Sequence, residues 1–232
     1  MDLSIYLAFA SAELGALHSY EGKTAWLGCQ LSPYSSGITH HPASLTHCDM
    51  LILTDETPPG DHDAKIIAQE LMAEARALSC EKILLDFQRK PSEESLQIVD
   101  SILKVSSLPV GVTAGYAKDF SCPVFLSPPP LWTPLSEHLE PWKGCEIWLE
   151  FAPESSRVTL TTEGCFYSPS APLATYPLTS KQLHLDYKTE LKETQVNIHL
   201  HRSISHMESW LLEAQALGVH SAIGLYQLFS GF

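Results

Sequence analysis

The sequence predicts an α/β fold: an irregular (β/α)8 TIM-like barrel with an antiparallel β insertion in its C-terminal third. Three observations carry this. Strand-like apolar runs alternate with helix-period segments over most of the chain, the pattern of a parallel sheet covered by helices. Eight or more such runs fit into 232 residues, a length suited to one closed barrel. Between residues 157 and 195 the helical period gives way to hairpin signals and a proline-rich loop. Residues 1–232 therefore read as one barrel domain with residues 157–195 inserted as a β-hairpin and loop.

The elements follow in order. Residues 3–9 read as the first strand and residues 11–20 as a short helix. Residues 24–31 form the next strand and run into the loop composition of residues 32–37. Residues 49–54 are a third strand, closing on Asp55, Glu56 and the turn Pro58-Pro59-Gly60. Asp63 caps a helix over residues 64–78 whose buried stripe is Ile67, Leu71, Ala75 and Leu78. Residues 82–88 are the fourth strand. Pro91-Ser92 opens a helix with Leu96, Val99, Ile102 and Leu103 on one face. Residues 110–114, 124–126 and 146–151 are further strands, and residues 134–139 make a turn or two of helix. The residues from Ala117 to Cys122 are too few for a helical crossover, so one helix of the barrel is missing there. Residues 158–161 and 166–167 flank the hairpin signal Glu163-Gly164, and residues 183–190 and 196–201 are strands. Ser205-His206-Met207-Glu208 is a capping box for a helix with Trp210, Leu211, Ala214 and Leu217 inward, stopped by Gly218. Residues 222–229 are the last strand, so the chain ends on a strand and not on a closing helix.

Composition excludes several functions. The net charge of −13 and the lack of a basic stripe argue against nucleic acid and anionic lipid as partners. No apolar run reaches the roughly 18 residues of a membrane span. Residues 3–10 are apolar, but no Lys or Arg precedes them and Asp2 stands where positive charge is expected, so they read as a strand and not a signal peptide. The six cysteines form no Cys-x-x-Cys pair and read as small buried residues in a reducing compartment, with the cytoplasm as the expected location. With no Walker loop and no Gly-x-Gly-x-x-Gly, no cofactor is expected.

The chemistry centres on residues 81–90. Strand alternation puts Leu84, Asp86 and Gln88 on one face and Ile83, Leu85 and Phe87 on the other. Both faces start apolar, and one turns polar at the C-terminal end, where sites sit in α/β barrels. Glu150 ends another strand and shares its face with Glu146 and Trp148. An inward Glu150 would pair with Asp86 across the barrel mouth, and Trp148 would supply an apolar wall that raises a carboxyl pKa. The plainer alternative is that Glu150 bonds a neighbouring loop. Asp55 and Glu56 end their strand in the same way. His199 and His201 share one strand face, and with Asp186 or Glu190 they would suit a metal, but Arg202 adjoins them and no metal is assigned. Tyr116 and Tyr226 lie near strand ends, where rings suit sugar stacking as well as packing.

Ile83-Leu84-Leu85-Asp86-Phe87-Gln88 resembles the fourth-strand motif of glycoside hydrolase family 18, the chitinase-like barrels, which ends Asp-x-Asp-x-Glu. Leu84 stands at the first of those positions, Asp86 at the second and Gln88 at the last. The capped helix from Ser205 and the run up to Phe229 look like that family's final helix and strand, with Tyr226 where a sugar-flooring Trp usually falls. Leu185-Asp186-Tyr187 is similar to a strand that supplies a Tyr or Asp to the sugar. In the family the last Glu protonates the glycosidic oxygen, and the Asp before it orients the acetamido nucleophile. Gln88 has no proton to give at neutral pH.

The resemblance thus implies a barrel degenerate at its catalytic acid, binding a carbohydrate or polyol through Asp86, Gln88, Asp186, Tyr187 and Tyr226, and the reading of strand ends and faces adds Tyr116, Trp148 and Glu150. Two alternatives stand beside this pseudoenzyme reading. One is an active glycoside hydrolase with Glu150 as acid and Asp86 as base or electrostatic stabiliser. The other is a protein-interaction scaffold without a small-molecule site.

Overall fold

The computed structural model describes residues 2–58, 60–117 and 121–230. Pro59 of the expected turn and residues 118–120 of the short crossover lie outside the described residues. Seven strands come first: β1 (Ser4–Phe9), β2 (Lys23–Gln30), β3 (Met50–Thr54), β4 (Lys82–Asp86), β5 (Val110–Thr113), β6 (Val124–Leu126) and β7 (Ile147–Glu150). Five more follow: β8 (Glu154–Thr161), β9 (Gly164–Pro169), β10 (Leu178–Ser180), β11 (Leu185–Lys192) and β12 (Gln195–Arg202). The last is β13 (Val219–Leu225). The helices are α1 (Leu14–Leu17), α2 (Ala64–Ala77), α3 (Glu93–Val105), α4 (Ala114–Ala117), α5 (Leu135–Leu139) and α6 (Ile204–Ala216).

The chain forms two compact units. One holds Asp2–Leu126, Gly144–Glu150 and His220–Phe232; the other holds Ser127–Lys143 and Phe151–Val219. The first contains a closed barrel in the order β1-β13-β7-β6-β5-β4-β3-β2, with every pairing parallel. This is the eight-stranded barrel that the alternation predicts. Its interior is filled by Tyr6, Ala8, Ala25, Met50, Ile52, Leu84, Phe125, Trp148 and Ile223. Gly111 of β5 makes room for the largest of these, since a Cβ there would stand 2.3 Å from Cε3 of Trp148. The barrel is irregular as expected: β5 and β6 are joined through the four-residue α4, and residues 31–49 between β2 and β3 contain no helix.

The long helices follow their caps. Asp63 accepts from the backbone N–H groups of Lys65 and Ile66, and Ile67, Leu71 and Ala75 are buried along α2. Ser92 accepts from Ser95 N at the start of α3. The buried stripe of α3 is Ser95, Ile98, Val99 and Ile102, and the expected Leu96 and Leu103 are only half-buried.

The second unit contains an antiparallel sheet in the order β10-β11-β12-β8-β9. The insertion is therefore wider than residues 157–195. Residues 195–202 are not a barrel strand: β12 pairs with β11 and β8. Leu131, Val158, Leu185 and Leu200 form this unit's apolar cluster. The cap of α6 is Ser203 and not Ser205, because Ser203 N–H donates to His206 Nδ1 at 3.2 Å. Gly218 ends that helix at φ 89°, and Leu217, expected inward, is 39% exposed. Strand β13 also lies earlier than residues 222–229, and Tyr226 starts a 3-10 turn over Tyr226–Leu228.

Candidate functional site

Leu84 and Trp148 both fill the barrel interior. Strand alternation therefore turns Asp86, two residues past Leu84, and Glu150, two residues past Trp148, toward the same side at the C-terminal end. Asp86 closes β4 and Glu150 closes β7, with β5 and β6 between them in the barrel order. Both are half-buried. Burial lifts the Glu150 carboxyl to about 7, and the charge on Asp86 adds to the rise. The two groups are thus near enough to interact. The Asp86 pKa is also raised, chiefly by burial; the Gln88 hydrogen bond opposes the rise and the charge of Asp55 adds to it. Gln88 is exposed, and its Nε2 donates to Asp86 Oδ1.

Strand β4 ends at Asp86, two residues before its expected end, and side chains from neighbouring strands explain why. Thr113 Oγ1 donates to the carbonyl of Phe87 at 2.7 Å. Asp55, only 3% exposed, accepts from Gln88 N at 2.8 Å through Oδ1 and from Arg89 N at 3.0 Å through Oδ2. Arg89 closes the ring, donating from Nε to the Asp55 carbonyl at 2.9 Å and from Nη2 to the Glu56 carbonyl at 2.7 Å. Asp55 therefore shapes the turn that carries Gln88, with both oxygens engaged by backbone. Its position at a strand end was the signal; the turn it serves was not visible in one strand alone.

The aromatic candidates separate by exposure. Trp148 is fully buried, and its indole N–H donates to Glu146 Oε1 at 2.9 Å, toward the start of β7. Lys82, at the start of β4, places Nζ 5.0 Å from the same ring and donates to Ser221 Oγ at 2.6 Å. Tyr116 is 1% exposed, and its hydroxyl donates to Ser95 Oγ at 3.2 Å and the Arg89 carbonyl at 3.3 Å. These two rings brace the barrel and the turn and offer no surface to a ligand. Tyr226 is half-buried and stacks on Phe9 with ring centroids 4.4 Å apart.

Asp186 and Tyr187 lie on β11, in the sheet unit. Asp186 accepts from Thr179 Oγ1 at 2.6 Å and stands 3.5 Å from His206 Nε2. Tyr187 lines an apolar cavity of about 500 Å³ together with Trp132, Tyr167, Leu183 and Leu200. Trp132 is 44% exposed and meets Tyr167 edge-on at 4.3 Å. His201 pairs with Ser155 Oγ at 2.7 Å and stacks on Tyr176. Among the described residues, no three His, Cys, Asp or Glu side chains converge as a metal site.

No family model and no curated protein matches the sequence. Solved structures do match the fold. The Bacillus cereus spore cortex-lytic enzyme SleL aligns with a TM-score of 0.61 at 10% identity, over 96% of this chain and 70% of that one. A complex of the class V chitinase from Nicotiana tobaccum with NAG4 gives 0.61 at 10% identity, over 96% and 93%. Human YKL-39, described as a pseudo-chitinase with retained chitooligosaccharide binding, gives 0.56 at 9% identity, over 96% and 92%. The chain thus has the fold of the glycoside hydrolase family 18 chitinases and chitinase-like proteins.

Proposed function

We propose that this chain is a carbohydrate-binding, chitinase-like barrel that holds a chitooligosaccharide or related polyol at its C-terminal mouth without hydrolysing it. One observation carries the reading: an amide, Gln88, stands where the fold's relatives by resemblance carry their acid, and it is hydrogen-bonded to Asp86 beside a protonatable Glu150. An amide, a carboxylate and a carboxyl near its midpoint at pH 7 together supply donors and acceptors for sugar hydroxyls. The half-buried Tyr226, stacked on Phe9, offers a ring face for sugar stacking. That a structural neighbour is described as a pseudo-chitinase with retained chitooligosaccharide binding supports the same reading.

Isothermal titration calorimetry against chitooligosaccharides and cell-wall fragments tests it. Binding heat is expected with at least one of them, weakened on the order of tenfold by Asp86→Ala or Gln88→Ala. The absence of heat with every ligand at millimolar concentration would overturn the proposal.

The pKa of Glu150 favours a second reading, hydrolysis with Glu150 as general acid and Asp86 as base or stabiliser. Reducing-end release would then decline as pH rises through about 7, and Glu150→Gln would abolish it. Turnover that survives that substitution removes this reading.

A further inference from the structure

We propose that the N-terminal rim of the barrel carries two cross-strand disulfide sites, Cys48–Cys80 and Cys122–Cys145, which close by thiol–disulfide exchange with a small-molecule disulfide. The first pair is nearly in contact: the two sulfurs stand 3.5 Å apart. Strand register explains the approach. Met50 of β3 pairs with Lys82 of β4, and two residues earlier in each chain the same register sets Cys48 opposite Cys80. Glu81 N–H and Lys82 N–H both donate to the Asp49 carbonyl, which keeps the segments side by side at that point.

The same construction recurs across the barrel. Val124 of β6 pairs with Ile147 of β7, and two residues earlier Cys122 falls opposite Cys145. Val124 N–H donates to the Glu146 carbonyl at 2.8 Å. The Cys145 charge helps to raise the Cys122 thiol, so these two sulfurs also sense each other. Parallel neighbours lie about 4.8 Å apart, within the Cα span that a disulfide bridges. Four of the six cysteines thus precede paired strands by two residues, in matching positions. The other two are placed differently: Cys29 sits inside β2 and its thiol donates to the Thr39 carbonyl, and Cys165 lies on β9.

The chemistry balances without a metal or enzyme cofactor. The exposed Cys145 thiolate attacks one sulfur of the small disulfide and expels a thiolate, forming a mixed disulfide. Cys122 then attacks the Cys145 sulfur and expels the second thiolate. The two protons lost by the cysteines end on the two released thiols. In the buried pair Cys80, 7% exposed, is attacked first and Cys48, fully enclosed, resolves it, so this pair closes more slowly.

The test equilibrates the folded protein in glutathione buffers from reducing to oxidising, blocks free thiols with an alkylating agent and maps peptides by mass spectrometry. A parallel set is refolded from denaturant in the same buffers, which removes any barrier of access. Two cross-linked peptides are expected, Cys122–Cys145 at shorter times and Cys48–Cys80 later or on refolding. Cys29 and Cys165 should remain alkylated, and Tm should rise by about 5 °C under oxidising conditions. A Cys29→Ser, Cys165→Ser double variant should give the same two links. Free thiols or glutathione adducts at a pair in both sets would eliminate that pair. Links through Cys29 or Cys165, or a fall in Tm on oxidation, would overturn the proposal.

Discussion

Asp55 stands just past the end of β3 and Glu150 at the end of β7, two strands of one barrel, yet their surroundings give them opposite work. Asp55 has both oxygens occupied by the N–H groups of Gln88 and Arg89, so it fixes a turn. Asp55→Ala takes the acceptor from both donors and should cost about 2 kcal/mol in urea denaturation. It should also weaken any sugar bound through Gln88. Glu150 has no such backbone donors among the described residues, and burial with the Asp86 charge raises its pKa from 4.5 to about 7. Removing that charge with Asp86→Asn should lower the Glu150 midpoint, read by carboxyl NMR titration. Between about 4.5 and about 7 the folded chain keeps a proton that the unfolded chain has released. Stability should therefore fall as pH rises through that window, by on the order of 2 kcal/mol. Glu150→Gln should flatten that part of the pH profile and melt higher than the parent at pH 8.

Among the elements, α2 and α3 owe their starts to single side chains. Asp63→Ala and Ser92→Ala each remove an acceptor for first-turn N–H groups and should each cost about 1 kcal/mol in thermal or chemical unfolding. Strand β5 makes a different demand. Trp148 of β7 reaches across the interior to Gly111, and Gly111→Ala puts a methyl 2.3 Å from its ring. Neither the ring nor the strand has space to yield, so a loss on the order of 3 kcal/mol is expected by chemical denaturation. Near-ultraviolet circular dichroism should report the displaced indole. Strand β4 shows where element boundaries come from: its apolar run continues to Phe87, but Thr113 and Asp55 take up the following backbone groups and end the ladder at Asp86.

At the scale of the whole molecule, alternating strand and helix periods were enough to read a parallel barrel, its first seven strands and the place where a helix is reduced to α4. Local caps and turn residues were legible too, since Asp63, Ser92, Gly218 and the Glu163-Gly164 hairpin act on their own neighbours in the chain. Assignments of strands to sheets were not: residues 195–202 have ordinary strand composition, and only their pairing with β11 and β8 takes them out of the barrel. The same held at the site. Alternation aimed Asp86 and Glu150 toward the mouth, but the burial of Trp148 and Tyr116 depended on partners far along the chain, Glu146 apart. The sequence by itself determined most of the segments that extend or coil and the inward faces of strands such as β4 and β7, because those follow from periods of two and 3.6 residues. The tertiary structure decided which strands meet, which polar groups find partners and which cysteines lie side by side. Those depend on register between segments separated by tens of residues, and no local pattern encodes that distance.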